Sequence, residues 1–417
     1  TPLLPTRISS PASREPAPLH PETGRPIPPH GLVLALVALA LGGVGIGTGE
    51  FVPMGLLPDV ARGIDEPVTT AGHVISAYAV GVVVGAPLLA LIGATMPRRK
   101  LLVLLMAVYA VGNLLSAAAP SYGLLLLARF ISGLPHGAFF GVASLAAAAL
   151  VPPERRAWAI TRVMLGLSIA NVAFVPAANA MGHAVGWRSV FVAVAVVSVI
   201  TLVSILRYVP ATAATAGASM KGELGALKDP QVLLTLGVGA IGFGGMFAVY
   251  SYITPTLTTR AGVSEDIIPL YLVVWGAGMV CGNLIGGRLI DRNLLGTLFW
   301  GLAGFAGALA LFTVLSGNAY TAALGVFLLG NVLLLGPALQ TRLMDVAGEA
   351  QTLAATMNHA SFNTANALGP ALGGVAFTAT HSWTSPAWVG VGLAAGGIGF
   401  LLSSIALERR TEAAVAG

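Results

Sequence analysis

The sequence predicts an all-α membrane protein with twelve transmembrane helices in two pseudo-symmetric six-helix bundles. Three observations lead there. Of its 417 residues 56% are hydrophobic and only 9% are charged, against about 25% charged in an average soluble domain. The apolar residues come in runs of about 20, the length a helix needs to cross about 30 Å of hydrocarbon. A polar stretch at 209–230, with Lys221, Glu223, Lys228 and Asp229, divides those runs into six and six.

The elements follow in order. Residues 1–30 are proline-rich without apolar periodicity and read as a disordered tail. The spans fall at 31–57, 72–95, 100–119, 122–149, 157–180 and 188–208, then after the 209–230 linker at 231–254, 266–287, 294–316, 319–343, 351–379 and 384–407. This makes an N-terminal bundle of 31–208 and a C-terminal bundle of 231–407, with a second tail at 408–417. Most of the 21 Lys and Arg residues lie in the tails and in the loops after even-numbered spans, while Arg62, Arg188 and Arg260 lie on the other side. The positive-inside rule then places both termini in the cytoplasm of a multi-pass cell-membrane protein. Scattered in this way, a net charge of +5 indicates topology and no nucleic-acid partner.

Chemistry is narrowed by what the chain lacks. A single cysteine, Cys281, allows no intramolecular disulfide and no cysteine metal cluster. Without HExxH, GxSxG or GxxxxGK motifs, neither an enzyme nor an ATP-driven pump is expected. No metal or other cofactor is expected, the proton gradient supplying the energy, and the chain is expected to be a monomer. The four-residue glycine spacings Gly133, Gly137, Gly141 and Gly278, Gly282, Gly286 read as packing stripes, where small residues let helices approach.

The halves resemble one another. Met96-Pro97-Arg98-Arg99-Lys100 after the second span is answered by Gly287-Arg288-Leu289-Ile290-Asp291-Arg292 after the eighth, and Pro176 in the fifth span by Pro370 in the eleventh, both taken as gating positions. Duplicated six-helix units of this kind form secondary transporters that rock about a central site.

Four segments sharpen this: GTGEFVPMGLLPDVA (47–61), RFISGLPHGAFFG with Arg129, Gly133 and Gly137, GWR (186–188) and GGRLIDR (286–292). Over about 31–407 the chain resembles the major facilitator superfamily, and within it the drug/proton antiporters near the sugar-efflux and chloramphenicol-resistance transporters. The resemblance implies a proton-transfer role for Arg129 and a gating role for Gly287, Asp291 and Arg292. The first copy of the loop motif has Ala94 in place of its acid, so gating falls to the second. Val175, Pro176 and Asn179 depart from the fifth-helix antiporter motif, whose glycine pattern recurs as Gly369, Pro370, Gly373 and Gly374.

Glu50, Arg129 and Arg162 are the charged residues expected inside spans. A charged Glu50 in the bilayer costs from about 3 to more than 10 kcal/mol, so a proton, a cationic substrate or an arginine must neutralise it. It lies about two turns, or about 10 Å, from the outer end of its span, and Arg129 lies at similar depth. Both readings of the two residues stand: a proton-coupling centre, or a static pair that fixes packing. His136, one heptad after Arg129 with Ser132 between, is either a proton relay or a neutral structural histidine. Arg162 is close enough to the interface to snorkel. Substrate contacts are expected from Glu50, Ser132, His136, Asn171, Tyr250, Tyr252, Trp275, Asn358, His359 and Asn363, and Asp59 is a candidate for the outer gate. The function expected is proton-coupled efflux of small, largely apolar compounds such as drugs. The alternatives are export of sugars or nucleosides, and a non-transporting membrane receptor.

Overall fold

The computed structural model describes residues 29–93, 95–211, 228–264, 267–348 and 350–416. Ala94, most of the N-terminal tail and the middle of the linker lie outside them. Eleven helices among the described residues are long and apolar enough to cross a membrane: α1 (His30–Gly55), α2 (His73–Gly93), α3 (Arg98–Ala118), α4 (Tyr122–Ala148), α5 (Pro153–Val185), α6 (Trp187–Tyr208), α7 (Pro230–Tyr250), α8 (Ile268–Arg292), α9 (Leu294–Leu315), α10 (Ala319–Val346) and α12 (Ser385–Thr411). The remaining span, α11 (Gln351–Thr380), is 30 residues long. Its Asn358, His359, Ser361 and Asn363 dilute its apolar character and are all buried inside the protein, as polar groups within hydrocarbon must be.

Proline and glycine shape several spans. Pro176 has no N–H to offer the Val172 carbonyl and its ring crowds that oxygen. Helix α5 takes up the mismatch as a wider π turn over Ala170–Phe174. Ahead of Pro337, α10 tightens instead into a 3₁₀ turn over Asn331–Leu334. Helix α11 runs through Pro370 without a break, so the two prolines matched in the sequence differ in local geometry.

Glycines set the closest helix contacts, and they do so twice. A Cβ on Gly81 or Gly133 would collide with a backbone carbonyl across the α2–α4 crossing, that of Phe130 or of Tyr78. On Gly278 or Gly330 it would collide with the carbonyl of Phe327 or Trp275 across the α8–α10 crossing. Each residue of the first set has its counterpart in the second at one constant spacing along the chain.

The two large apolar cores are divided between the halves. One gathers residues such as Leu39, Leu102 and Phe139, with Met344 and Ala355 added from the second half. The other gathers Trp275, Phe305 and Leu309, with Ala157 added from the first. Between the halves, α5 packs on α8, and α11 packs on α2 and α4.

Hydrogen bonds across this interface run from the end of the bundle where α1 begins up to its middle. The Ala157 N–H donates to the Asp291 carboxylate (3.1 Å), the Thr356 hydroxyl to the Ala86 carbonyl (3.2 Å), and the Asn283 amide to the Ser168 hydroxyl (2.6 Å). At the far end polar contacts among the described residues stay within one half: Asp59 pairs with Arg62 and His183, and Arg260 bonds the Thr313 carbonyl. Two expectations change here. The Gly287–Arg292 motif is the last turns of α8, not a loop. Arg342, at the end of the 319–343 span, is buried in α10 and paired at 2.8 Å with Glu408, assigned to the tail but standing on α12, which runs past the end set by hydropathy.

Candidate functional site

A cavity of about 50 Å³ lies between the halves. The first half supplies Glu50 and Phe51 from α1, His136 from α4, and Met164 and Leu167 from α5. The second supplies Phe243, Met246 and Phe247 from α7, Met279 from α8, Leu333 and Pro337 from α10, and His359, Phe362, Asn363 and Asn366 from α11. In this conformation it has room for a few water molecules. A drug-sized ligand needs some 300 Å³ or more and does not fit in this conformation.

Glu50 is buried, and among the described residues nothing hydrogen-bonds to its carboxylate. The helix can bring it here because Gly49 presents no side chain to the Tyr109 hydroxyl, which a Cβ would strike. That hydroxyl donates to the Ile46 carbonyl at 3.2 Å, anchoring α3 to α1.

Arg129 is fully buried. Its guanidinium lies 4.3 Å from the Tyr78 ring centroid and 5.5 Å from that of Phe191, so aromatic faces partly replace water around the cation. Nε donates to the Val74 carbonyl at 3.5 Å, and the two terminal nitrogens have no hydrogen-bond partner among the described residues. Among the described residues Arg129 and Glu50 form no ion pair. The ion pairs among the described residues are Arg62–Asp59, His183–Asp59 and Arg342–Glu408. Among the described residues no direct contact holds Glu50 and Arg129 together in this conformation.

His136 faces Tyr78 through Nδ1 at 3.0 Å and His359 through Nε2 at 3.1 Å, joining the halves. Asn363 lines the same cavity, its amide donating to the His359 carbonyl at 2.9 Å. The other expected contacts point elsewhere. The Ser132 hydroxyl bonds the Arg129 carbonyl and sits against Gly112 of α3. Asn171 bonds the Leu167 carbonyl within the irregular turn of α5. Asn358 donates to Gln340 of α10 at 2.8 Å. Tyr250 packs on Trp275, with ring centroids 5.2 Å apart, and Tyr252 donates to the Pro370 carbonyl. These three aromatics tie the second half together outside the cavity lining. Arg162 lies half-exposed over Trp158.

Of the gating candidates, Asp291 accepts from the first turn of α5, where the helix dipole favours an anion, and Gly287 lies against the Thr161 side chain. Both join the halves. Asp59 contacts only its own half. The residues missed from sequence are the Phe and Met side chains of the wall and Tyr78, for a buried apolar wall and a lipid-facing one have the same composition.

A duplicated twelve-helix bundle closed around a cavity that both halves line is a multi-pass membrane transporter. The chain belongs to the Major Facilitator Superfamily, whose family model matches residues 39–358. It is 41% identical over 378 residues to the inner membrane transport protein YdhP of Escherichia coli K12, covering 90% of this chain and 97% of the relative. It is 34% identical over 365 residues to a chloramphenicol resistance protein of Streptomyces lividans, covering 85% and 92%. In fold it is similar to the transporter FucP in the outward conformation, with a TM-score of 0.74 at 13% identity, covering 90% of this chain and 99% of that one.

Proposed function

We propose that the protein is a proton-coupled exporter of small, largely apolar compounds, working by alternating access with both termini in the cytoplasm. The observation that carries this reading is Glu50, among the described residues the one carboxylate of a largely apolar cavity rich in Phe and Met, with no cation among them bonded to it. An ion there is costly, so the group is held by a proton or by the substrate, and the two exclude one another. Arg129 acts from outside the lining as a fixed positive charge that favours proton release. Protons moving inward thus drive the substrate outward.

Phe and Met side chains adapt to many shapes and offer few hydrogen bonds. This favours apolar compounds over sugars, whose hydroxyls need more partners than Asn363, Asn366 and the two histidines supply. The relative named for chloramphenicol resistance makes chloramphenicol the first probe. In liposomes carrying a pH gradient, the wild type is expected to release protons when chloramphenicol or another compound of a drug panel is added. Glu50→Gln is expected to fold normally and to behave as empty liposomes do. Substrate-driven proton movement by a folded Glu50→Gln protein overturns the reading.

A further inference from the structure

The chain Tyr78–His136–His359 is left unused by this coupling scheme. It is built with care. Gly137 of α4 lets α11 approach to van der Waals contact with the His359 Cβ. The His359 ring then stacks on Phe140, centroids 4.3 Å apart and planes 11° from parallel, and meets Phe362 edge-on. This fixes its Nδ1 at 3.1 Å from His136 Nε2, while His136 Nδ1 lies 3.0 Å from the Tyr78 hydroxyl. The last nitrogen, His359 Nε2, is buried without a partner among the described residues, on a side chain that lines the cavity.

With neutral imidazoles this chain has two arrangements. In one, the Tyr78 hydroxyl donates to His136 Nδ1 and His136 Nε2–H donates to His359 Nδ1, leaving an N–H at His359 Nε2. In the other, His359 Nδ1–H donates to His136 Nε2 and His136 Nδ1–H donates to the tyrosine oxygen, leaving a lone pair at His359 Nε2. Each arrangement makes the same two internal bonds. The free nitrogen therefore offers a donor or an acceptor, the second arrangement requiring the Tyr78 hydroxyl hydrogen to turn from His136 toward its neighbour Tyr109.

We propose that His359 Nε2 is a ligand-recognition point of reversible polarity, its sense set through His136 by Tyr78, which lets one cavity take compounds bearing either a hydrogen-bond donor or an acceptor. Here Tyr78 and His136 are positioning residues. The inference rests on the cavity being the substrate site, and it adds which atom contacts the substrate and why that contact is tolerant.

The test uses three two-ring probes of similar size: indole, which only donates; quinoline, which only accepts; and naphthalene, which does neither. Binding to the full chain in lipid nanodiscs is measured by ligand-observed NMR above neutral pH, with empty discs as the blank. Indole and quinoline should each bind the wild type about two- to tenfold tighter than naphthalene, the worth of one net hydrogen bond. Tyr78→Phe keeps the ring over Arg129 but leaves His136 Nδ1 bare, and a bare lone pair is the less costly state to bury. His359 then shows its N–H, so quinoline keeps its advantage and indole loses it. His359→Phe brings all three probes level. Equal binding of the three probes by the wild type, or any other pattern in Tyr78→Phe, overturns the inference. Failure of all three to bind overturns the reading of the cavity itself.

Discussion

The two halves share their packing and differ in their chemistry. Gly81 and Gly133 meet across α2 and α4 as Gly278 and Gly330 meet across α8 and α10. At that same spacing along the chain, Tyr78 corresponds to Trp275, Arg129 to Val326, and His136 to Leu333, while Phe247 stands for Glu50 and lines the same cavity. At these matched positions the first half carries the charges, Glu50 and Arg129, and the second an apolar counterpart, with polar groups added on α11 and a separate buried cation, Arg342, in α10. Duplication preserved what holds helices together, because a backbone crossing at glycine admits no substitute. Side chains facing a cavity carry no such constraint, so one half could specialise.

Three experiments press on this comparison. The largest effect is expected from Gly133→Ala and Gly330→Ala, each placing a methyl against a carbonyl of the facing helix. Overpacking of this kind costs about 1–3 kcal/mol, and the two melting midpoints in detergent should fall by similar amounts. If one half tolerates its alanine, the packing is not shared.

A smaller effect is expected from Asp291→Asn, which keeps a hydrogen bond to Ala157 but removes an anion from the start of α5. At about 0.3–1 kcal/mol, the populations should shift modestly toward separation of the halves at that end. Spin labels at positions 154 and 293, in a chain with Cys281 replaced, report it as a longer-distance fraction. An unchanged distribution removes Asp291 from the gate.

The smallest effect on transport is expected from Glu408→Gln in the second half's own ion pair. It leaves the buried Arg342 facing a neutral acceptor, so the thermal unfolding midpoint should fall, with proton-driven transport unchanged. A loss of transport would place coupling chemistry in both halves.

Much of this was legible in the sequence. Run length and the polar linker marked six helices plus six, the glycine spacings marked the crossings, and the cost of charge in lipid singled out Glu50 and Arg129. Hydropathy hid the partner of Arg342, since Glu408 lies on α12 beyond its apolar run and the two meet only in the fold. It also left Tyr250 and Trp275 as open candidates, since an aromatic that binds a ligand and one that packs on its neighbour have the same hydropathy. His136 and His359 were each visible as polar residues in apolar spans. Their contact was not, because partners so far apart in the chain leave no periodic trace.

Helix α11 has a consequence for how the protein is made. Its buried Asn358, His359, Ser361 and Asn363 find partners on α10, on α4 and along α11's own backbone. Alone in lipid, such a segment would partition poorly, for each polar side chain opposes insertion. The earlier helices α2, α4 and α10 supply the surface on which it becomes stable in the bilayer. Assembly of the second half therefore depends on a first half already in place, and the order of synthesis along the chain provides it.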